Sequence, residues 1–167
     1  MSFLNRIDEG LIKSKSNLIG HENILNNCKK IIDLIHGENE GYLELIEELD
    51  IRSINIFHGE TGTGKTTLSY ALASYTLEKY GSELYEIKIE DVIKTELGKT
   101  VENFHKVYDE IKTLCKSSEG VVLFLDEFDR FLVDRNQSNE ISELKRALIS
   151  LMDFFQSISA SHKITIL

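Results

Sequence analysis

Proline and tryptophan are absent from this chain of 167 residues, and cysteine occurs only twice. The lack of proline is unusual and has no physical account in the rest of the sequence. Cys28 and Cys115 fall on the apolar faces of expected helices. That placement points to buried free thiols in a reducing compartment, not to a disulfide or a metal pair. The five histidines, at 21, 36, 58, 105 and 162, show no ligand spacing, so no zinc site is expected. Basic residues are in deficit, 19 against 28 acids, for a formal net charge of −9. Such a balance argues against a protein held on nucleic acid by its overall field, and no local basic stripe stands out. No apolar run approaches membrane-spanning length, and the opening MSFLNRIDEGLIKSKSN lacks the apolar core of a signal peptide. The expected location is therefore cytoplasmic. Internal repeats and low-complexity segments are absent as well.

What is present suits one domain with a sizeable core, since 41% of the residues are hydrophobic. Residues 1–17 are polar and mixed, and read as a loosely held lead-in. Residues 18–167 read as the domain itself. Ile24, Leu25, Cys28, Ile31, Ile32 and Ile35 repeat at helical spacing over about 21–36. Gly41–Asp50 is a short acidic helix or a loop. Strands are expected over 53–58, 84–89 and 121–125, with another beginning at Lys163–Leu167. Between them lie a helix over about 65–80 stopped by Gly81, a second carrying Val101, Phe104, Tyr108, Ile111, Leu114 and Cys115, and a third carrying Ile141, Leu144, Leu148, Leu151, Met152 and Phe155. Strands alternating with helices specify an α/β fold on a parallel sheet.

Chemistry enters at residues 59–66, Gly-Glu-Thr-Gly-Thr-Gly-Lys-Thr, which fit the phosphate-loop pattern G-x-x-x-x-G-K-[ST] at every fixed position. Gly59, Gly62 and Gly64 let the backbone curl so that amide N–H groups face a polyphosphate. Glu60, Thr61 and Thr63 contribute the intervening amides. The helix beginning at about Gly64 adds its positive end. Lys65 reaches the β- and γ-phosphates, the Thr66 hydroxyl ligates Mg²⁺, and Thr67 adds a contact to the α-phosphate. The pattern needs a strand before it and a helix after it, and SINIF and TTLSYALASYTLEKY supply both.

The second signal is GVVLFLDEFD at 120–129. Val121–Leu125 is an unbroken apolar run, as in a strand covered on both faces. It ends in Asp126 and Glu127, at the strand tip where α/β folds place ligands. Asp126 would hold Mg²⁺ directly or through water. Glu127 would act as general base toward an attacking water. Strand-end acids are often merely solvated, and here the phosphate loop is what favours the functional reading.

Taken together these features resemble the AAA ATPases, and the wider AAA+ class of P-loop enzymes. Ile19-Gly20-His21 resembles the family's segment that packs beside the adenine, which puts Gly20 at the nucleotide. GETGTGKT and VVLFLDEFD stand in the places of its two nucleotide motifs. Leu97-Gly98-Lys99-Thr100 followed by VENFHKVYDEIK is similar to its glycine turn and the helix behind it. DRFLVDRNQSNEISELKRALISLMDFF is similar to the stretch after the second motif. The resemblance covers about residues 18–167. It implies a three-layer α/β/α P-loop fold, binding of ATP or ADP with Mg²⁺, and catalytic roles for Lys65 and Glu127. It also implies a homo-oligomeric ring and a protein partner that hydrolysis remodels.

Four departures limit what carries over. Glu60 and Thr61 stand where many members have two prolines. Glu96 stands near the position of an aromatic pore residue, which counts against peptide threading. The β-hairpin insertion of the bacterial enhancer-binding activators is absent. The sequence stops at Leu167 inside the family's fourth strand, short of the sensor residue, arginine fingers, fifth strand and helical lid. Arg130, Arg135 and Arg146 come too early to be those fingers. The chain thus reads as a piece of a longer ATPase, with the strand before the phosphate loop at an exposed sheet edge. Such a piece is expected to bind nucleotide with little turnover. Two alternatives remain at this level: a nucleotide-gated interaction module without useful hydrolysis, against which the retained Glu127 argues, and a DNA loader or motor, against which the charge argues.

Overall fold

A computed structural model of the chain describes residues 2–37, 40–52, 54–92, 98–126, 149–150, 153–157 and 163–167. In chain order the elements are β1 Leu4–Arg6, α1 Glu9–Lys15, α2 Glu22–His36, α3 Glu40–Glu48, α4 Lys65–Tyr80, β2 Glu83–Ile87, α5 Ile89–Val92, α6 Lys99–Ser117, β3 Val121–Phe124 and β4 Ile164–Ile166. The strands form one sheet in the order β1-β2-β3-β4. β2, β3 and β4 run parallel, and β1 is antiparallel to β2 with Leu4 opposite Ile87 and Arg6 opposite Tyr85. The expected parallel sheet is therefore present, with one antiparallel edge that the sequence reading did not anticipate.

β3 sets the layering, because all four of its residues are buried. Successive side chains point to opposite faces. Val121 and Leu123 join Tyr85, Ile87, Phe104, Val107, Ile111, Phe154, Ile164 and Ile166 under α6. Val122 and Phe124 join Ile12, Cys28, Ile32, Leu68, Leu72 and Leu84 beneath α1, α2 and α4. α4 is buried along much of its circumference, at Leu68, Tyr70, Leu72, Ala73 and Thr76, because α1 and α2 cover it as well as the sheet. Its end matches expectation: Gly81 takes the left-handed conformation and its N–H returns to the Leu77 carbonyl.

Two expectations are corrected. Residues 1–17 are not loosely held over the described positions, since Leu4 is 8% and Ile12 1% exposed and α1 lies against α4. The polar composition hid two well-spaced apolar anchors. Of the strand expected over 53–58, Ser53 lies outside the described residues, and the rest is reduced to a single parallel bridge between Ile54 and Ile166, with the Asn55 N–H donating to the Ile166 carbonyl at 2.9 Å. Among the described residues β4 is its one neighbour, so its other side lacks a ladder and Ile56 is 79% exposed. Of the third helix, Ile141, Leu144, Leu148, Leu151 and Met152 lie outside the described residues. In the helical turn at 153–157, Phe154 is the buried ring and Phe155 is half-buried. Cys28 is buried, Cys115 half-buried, both are free, and burial raises both thiol pKa values.

Two polar clusters fasten α2 to the rest. Asp33 Oδ1 accepts from Tyr75 OH at 2.6 Å, Tyr80 OH at 2.7 Å and Lys79 Nζ at 2.8 Å, which ties α2 to α4. Burial opposes ionisation of Asp33, but those three hydrogen bonds outweigh it and hold the carboxyl below its usual value. His36 is 2% exposed; Nε2 is 2.9 Å from Thr165 Oγ1 on β4, and Nδ1 is 3.3 Å from Ser82 Oγ. Gly120 must lack a side chain here, because a Cβ would stand 2.5 Å from Ser82 Oγ and 2.7 Å from His36 Nδ1.

Burial first, then the charge of Lys163, lowers the His36 pKa from 6.5 to about 4, against a smaller opposing effect of Asp33. The unfolded imidazole thus takes up a proton before the folded one does. Stability is complete above pH 6.5 and declines as the pH falls toward 4, by on the order of 3 kcal/mol. Urea midpoints measured across that window should fall for the natural chain and stay nearly level for His36→Gln. Parallel curves for the two would remove His36 from this role.

Candidate phosphate-binding site

α4 begins at Gly64, whose φ of 87° and ψ of 13° lie in the left-handed region, and no side chain caps its first turn. The first N–H groups of a helix have no partners within it, so they are available to an anion. Gly62 also has positive φ, 83°, in a conformation that side chains resist. Two side chains close the loop on itself. Thr63 Oγ1 donates to the Glu60 carbonyl at 2.8 Å, and Lys65 Nζ donates to the carbonyls of Gly59 and Glu60 at 2.9 and 2.8 Å. The ammonium is thereby held across the loop that its own backbone forms. Glu60, Thr61, Gly62, Thr63 and Thr66 are exposed, while Gly64, Lys65 and Thr67 are half-buried. The curled backbone, the open helix end and the fixed cation together suit a phosphate chain.

Asp126 is exposed in the turn that immediately follows β3. Ile54, β4 and β3 are successive parallel neighbours, so the phosphate loop and Asp126 leave the same, carboxyl end of the sheet. Two strand spacings separate their strands, roughly 10 Å. Thr66 and Asp126 offer hard oxygen donors of the kind Mg²⁺ takes. Among the described residues no group of three or more His, Cys, Asp or Glu could hold a metal unaided. A donor set this small suits an ion that completes its shell with waters and phosphate oxygens. Glu127 lies outside the described residues, as do Glu96, Arg130, Arg135 and Arg146.

The segment before α2 lies beside this loop. Leu18 is half-buried, and its Cδ1 is 3.7 Å from where a Cβ on Gly64 would stand. Ile19 is 89% exposed, and Gly20 has φ of 82°. His21 follows at φ 60°, ψ 20°, an unusual conformation for a residue with a side chain. The spacing arguments missed both Leu18 and His21. An isolated leucine at the end of a polar stretch was the available signal for the first; for the second it was histidine itself, which enters the left-handed region more often than most residues with side chains. At the other glycine turn, Gly98 has φ of 76° and opens α6, with Thr100 buried and Asn103 Nδ2 donating to the Val92 carbonyl at 2.8 Å. Leu97 lies outside the described residues.

An α/β sheet with a glycine-rich loop feeding a helix at its carboxyl end defines the P-loop nucleotide-binding fold. The chain belongs to the AAA family, ATPases associated with various cellular activities, whose model matches residues 55–167. It is 32% identical over 110 residues to an uncharacterized AAA family ATPase of Sinorhizobium fredii, covering 66% of this chain and 31% of that protein. It is 29% identical over 163 residues to a 26S proteasome regulatory subunit 4 homolog of Dictyostelium discoideum, covering 93% of this chain and 34% of that one. The chain thus spans about a third of the length of these relatives. In fold it resembles a chain of the E. coli MS115-1 HORMA:CdnC:Trip13 complex, with a TM-score of 0.75 and 15% identity over 98% of this chain and 62% of that one. C. elegans PCH-2 gives a TM-score of 0.61 at 20% identity, over 98% of this chain and 41% of that one.

A left-handed conformation costs an ordinary residue roughly 1–2 kcal/mol, part of which glycine loses again through unfolded-state entropy. His21→Gly should therefore stabilise the chain by about 0.5–1 kcal/mol in urea denaturation. A loss of stability would show that the imidazole makes up for its backbone strain.

Proposed function

We propose that this chain is the nucleotide-binding part of an AAA-type ATPase, and that the complete protein hydrolyses ATP to remodel a protein partner. The observation that carries the reading is the loop at Gly59–Thr66, closed by Lys65 Nζ on two of its carbonyls and opening onto the uncapped start of α4. ATP or ADP would lie with its phosphates along the amides of 59–67 and its base toward Ile19-Gly20. Lys65 would turn from the loop carbonyls to the β- and γ-phosphates and stabilise charge that develops on the transferred group. Thr66 and Asp126 would hold Mg²⁺, which supplies neutralisation of the β- and γ-oxygens. Glu127 would accept the proton of the water that attacks the γ-phosphorus in line.

Family membership supports the ATPase class. The partner is proposed to be a protein because relatives include a proteasome regulatory subunit homolog; another is named "AAA ATPase forming ring-shaped complexes", from Corynebacterium kroppenstedtii. The name of the Corynebacterium relative favours a ring, which we propose is homo-oligomeric, built from copies of the same protein. Nucleic acid is disfavoured as partner by the net charge of −9.

Lys65→Ala removes a charge-assisted contact worth about 1.5–3 kcal/mol, so ADP and ATP should bind it some 10- to 100-fold more weakly in calorimetric titration with Mg²⁺. Equal affinity for the variant and the natural chain would refute the phosphate-loop assignment. In the complete protein, Glu127→Gln should retain ATP while hydrolysis drops by about 10²–10⁴. Undiminished turnover would remove Glu127 from the base role and favour a nucleotide-gated interaction module.

A further inference from the structure

We propose that Leu18 is a positioning residue for the phosphate loop, pressed onto Gly64 by a strap, residues 2–18, that is anchored elsewhere in the fold. The strap starts at the sheet edge far from the loop. Glu110 on α6 accepts from Ser2 Oγ at 2.8 Å and from the Phe3 N–H at 3.2 Å, and β1 then pairs with β2. The Ile7 N–H donates to the Leu84 carbonyl at 2.9 Å, and Asp8 caps α1 through the Gly10 N–H at 2.8 Å. α1 crosses α4, with Ile12 1% exposed in the core and Lys15 Nζ 5.0 Å from the Tyr70 ring centroid. A tight turn, Leu18 N–H to the Ser16 carbonyl at 2.8 Å, then aims Leu18 at the loop.

Gly64 needs such a neighbour. It is the last glycine of the loop and the first residue of α4, it has no side chain of its own to pack, and no side chain caps the helix behind it. Among the described residues, Leu18 Cδ1, at 3.7 Å, is the one atom outside the helix and the chain neighbours in contact with the place its Cβ would occupy. Leu18 thus supplies to Gly64 the packing that its required lack of a side chain forfeits, and holds the helix start in register with the loop. Ile19, carried on the same turn, is thereby kept where the proposed nucleotide would place its base.

The test is amide hydrogen exchange on the nucleotide-free chain, read at Leu68, whose N–H donates to the Gly64 carbonyl at 2.8 Å. Relative to the slowest amides of β3, Leu18→Ala should raise exchange at Leu68 and Ser69 by about tenfold, through local opening of the first turn. Leu18→Met should restore protection. Leu25→Ala, the same truncation in the same core cluster but away from Gly64, should leave the ratio unchanged. No change in Leu18→Ala, or an equal rise in Leu25→Ala, overturns the proposal and leaves Leu18 an ordinary core residue. A second readout rests on the nucleotide reading: ADP should bind Leu18→Ala about fivefold more weakly, and Leu18→Met normally. If the natural chain binds no ADP, that reading fails on its own and exchange still decides the role of Leu18.

Discussion

The seating of α4 is the constraint on which the rest depends. A phosphate loop is useful only if its helix points the same way every time, and a solitary helix of 16 residues has little reason to hold one direction. Here α4 is enclosed by β2 and β3 beneath, and by α1 and α2 on its outer side. Leu72, at 0% exposure, is the midpoint of that enclosure. The burial fixes the axis, the axis fixes Gly64, and Gly64 fixes where the loop's amides face. The hydrogen bonds of Lys65 and Thr63 to the loop carbonyls then settle the curl, which they could not do on a helix free to tilt.

The polar clusters serve the same end at different places. Asp33 with Tyr75, Lys79 and Tyr80 fastens the outer helix α2 to the later turns of α4. His36 fastens the end of α2 to β4 through Thr165. The price is a buried neutral imidazole that acid conditions penalise, and a Gly120 that no larger residue can replace without moving Ser82 or His36. The strap ahead of α2 covers what these clusters do not reach, the first turn of α4.

Much of this was legible in the sequence because the signals are local. The glycine and lysine spacing of 59–66 states a backbone shape and a charge at once, and the run at 121–125 states burial on both faces. The helices α2, α4 and α6 lie close to where their apolar periodicity put them. Legibility failed where the answer depends on a neighbour distant in the chain. Leu4 and Ile12 look incidental among polar residues until β2 and α4 are placed beside them. Ser53–Phe57 carries strand-forming residues, but strand length is set by pairing, and among the described residues that pairing is the Ile54 bridge to β4. The left-handed backbone of His21 had only a weak residue signal, the tendency of histidine to enter that region more often than most residues with side chains.

The central claim is that this backbone presents the loop at 59–67 ready-made to a polyphosphate, with Asp126 at the same end of the sheet. The most direct measurement is the amide NMR spectrum of the natural chain titrated with ADP and Mg²⁺. The account predicts saturable shifts concentrated at Gly59–Leu68 and around Asp126, with β1 and its partner residues on β2 unmoved. Shifts absent from the loop, or spread evenly over the chain, would contradict it.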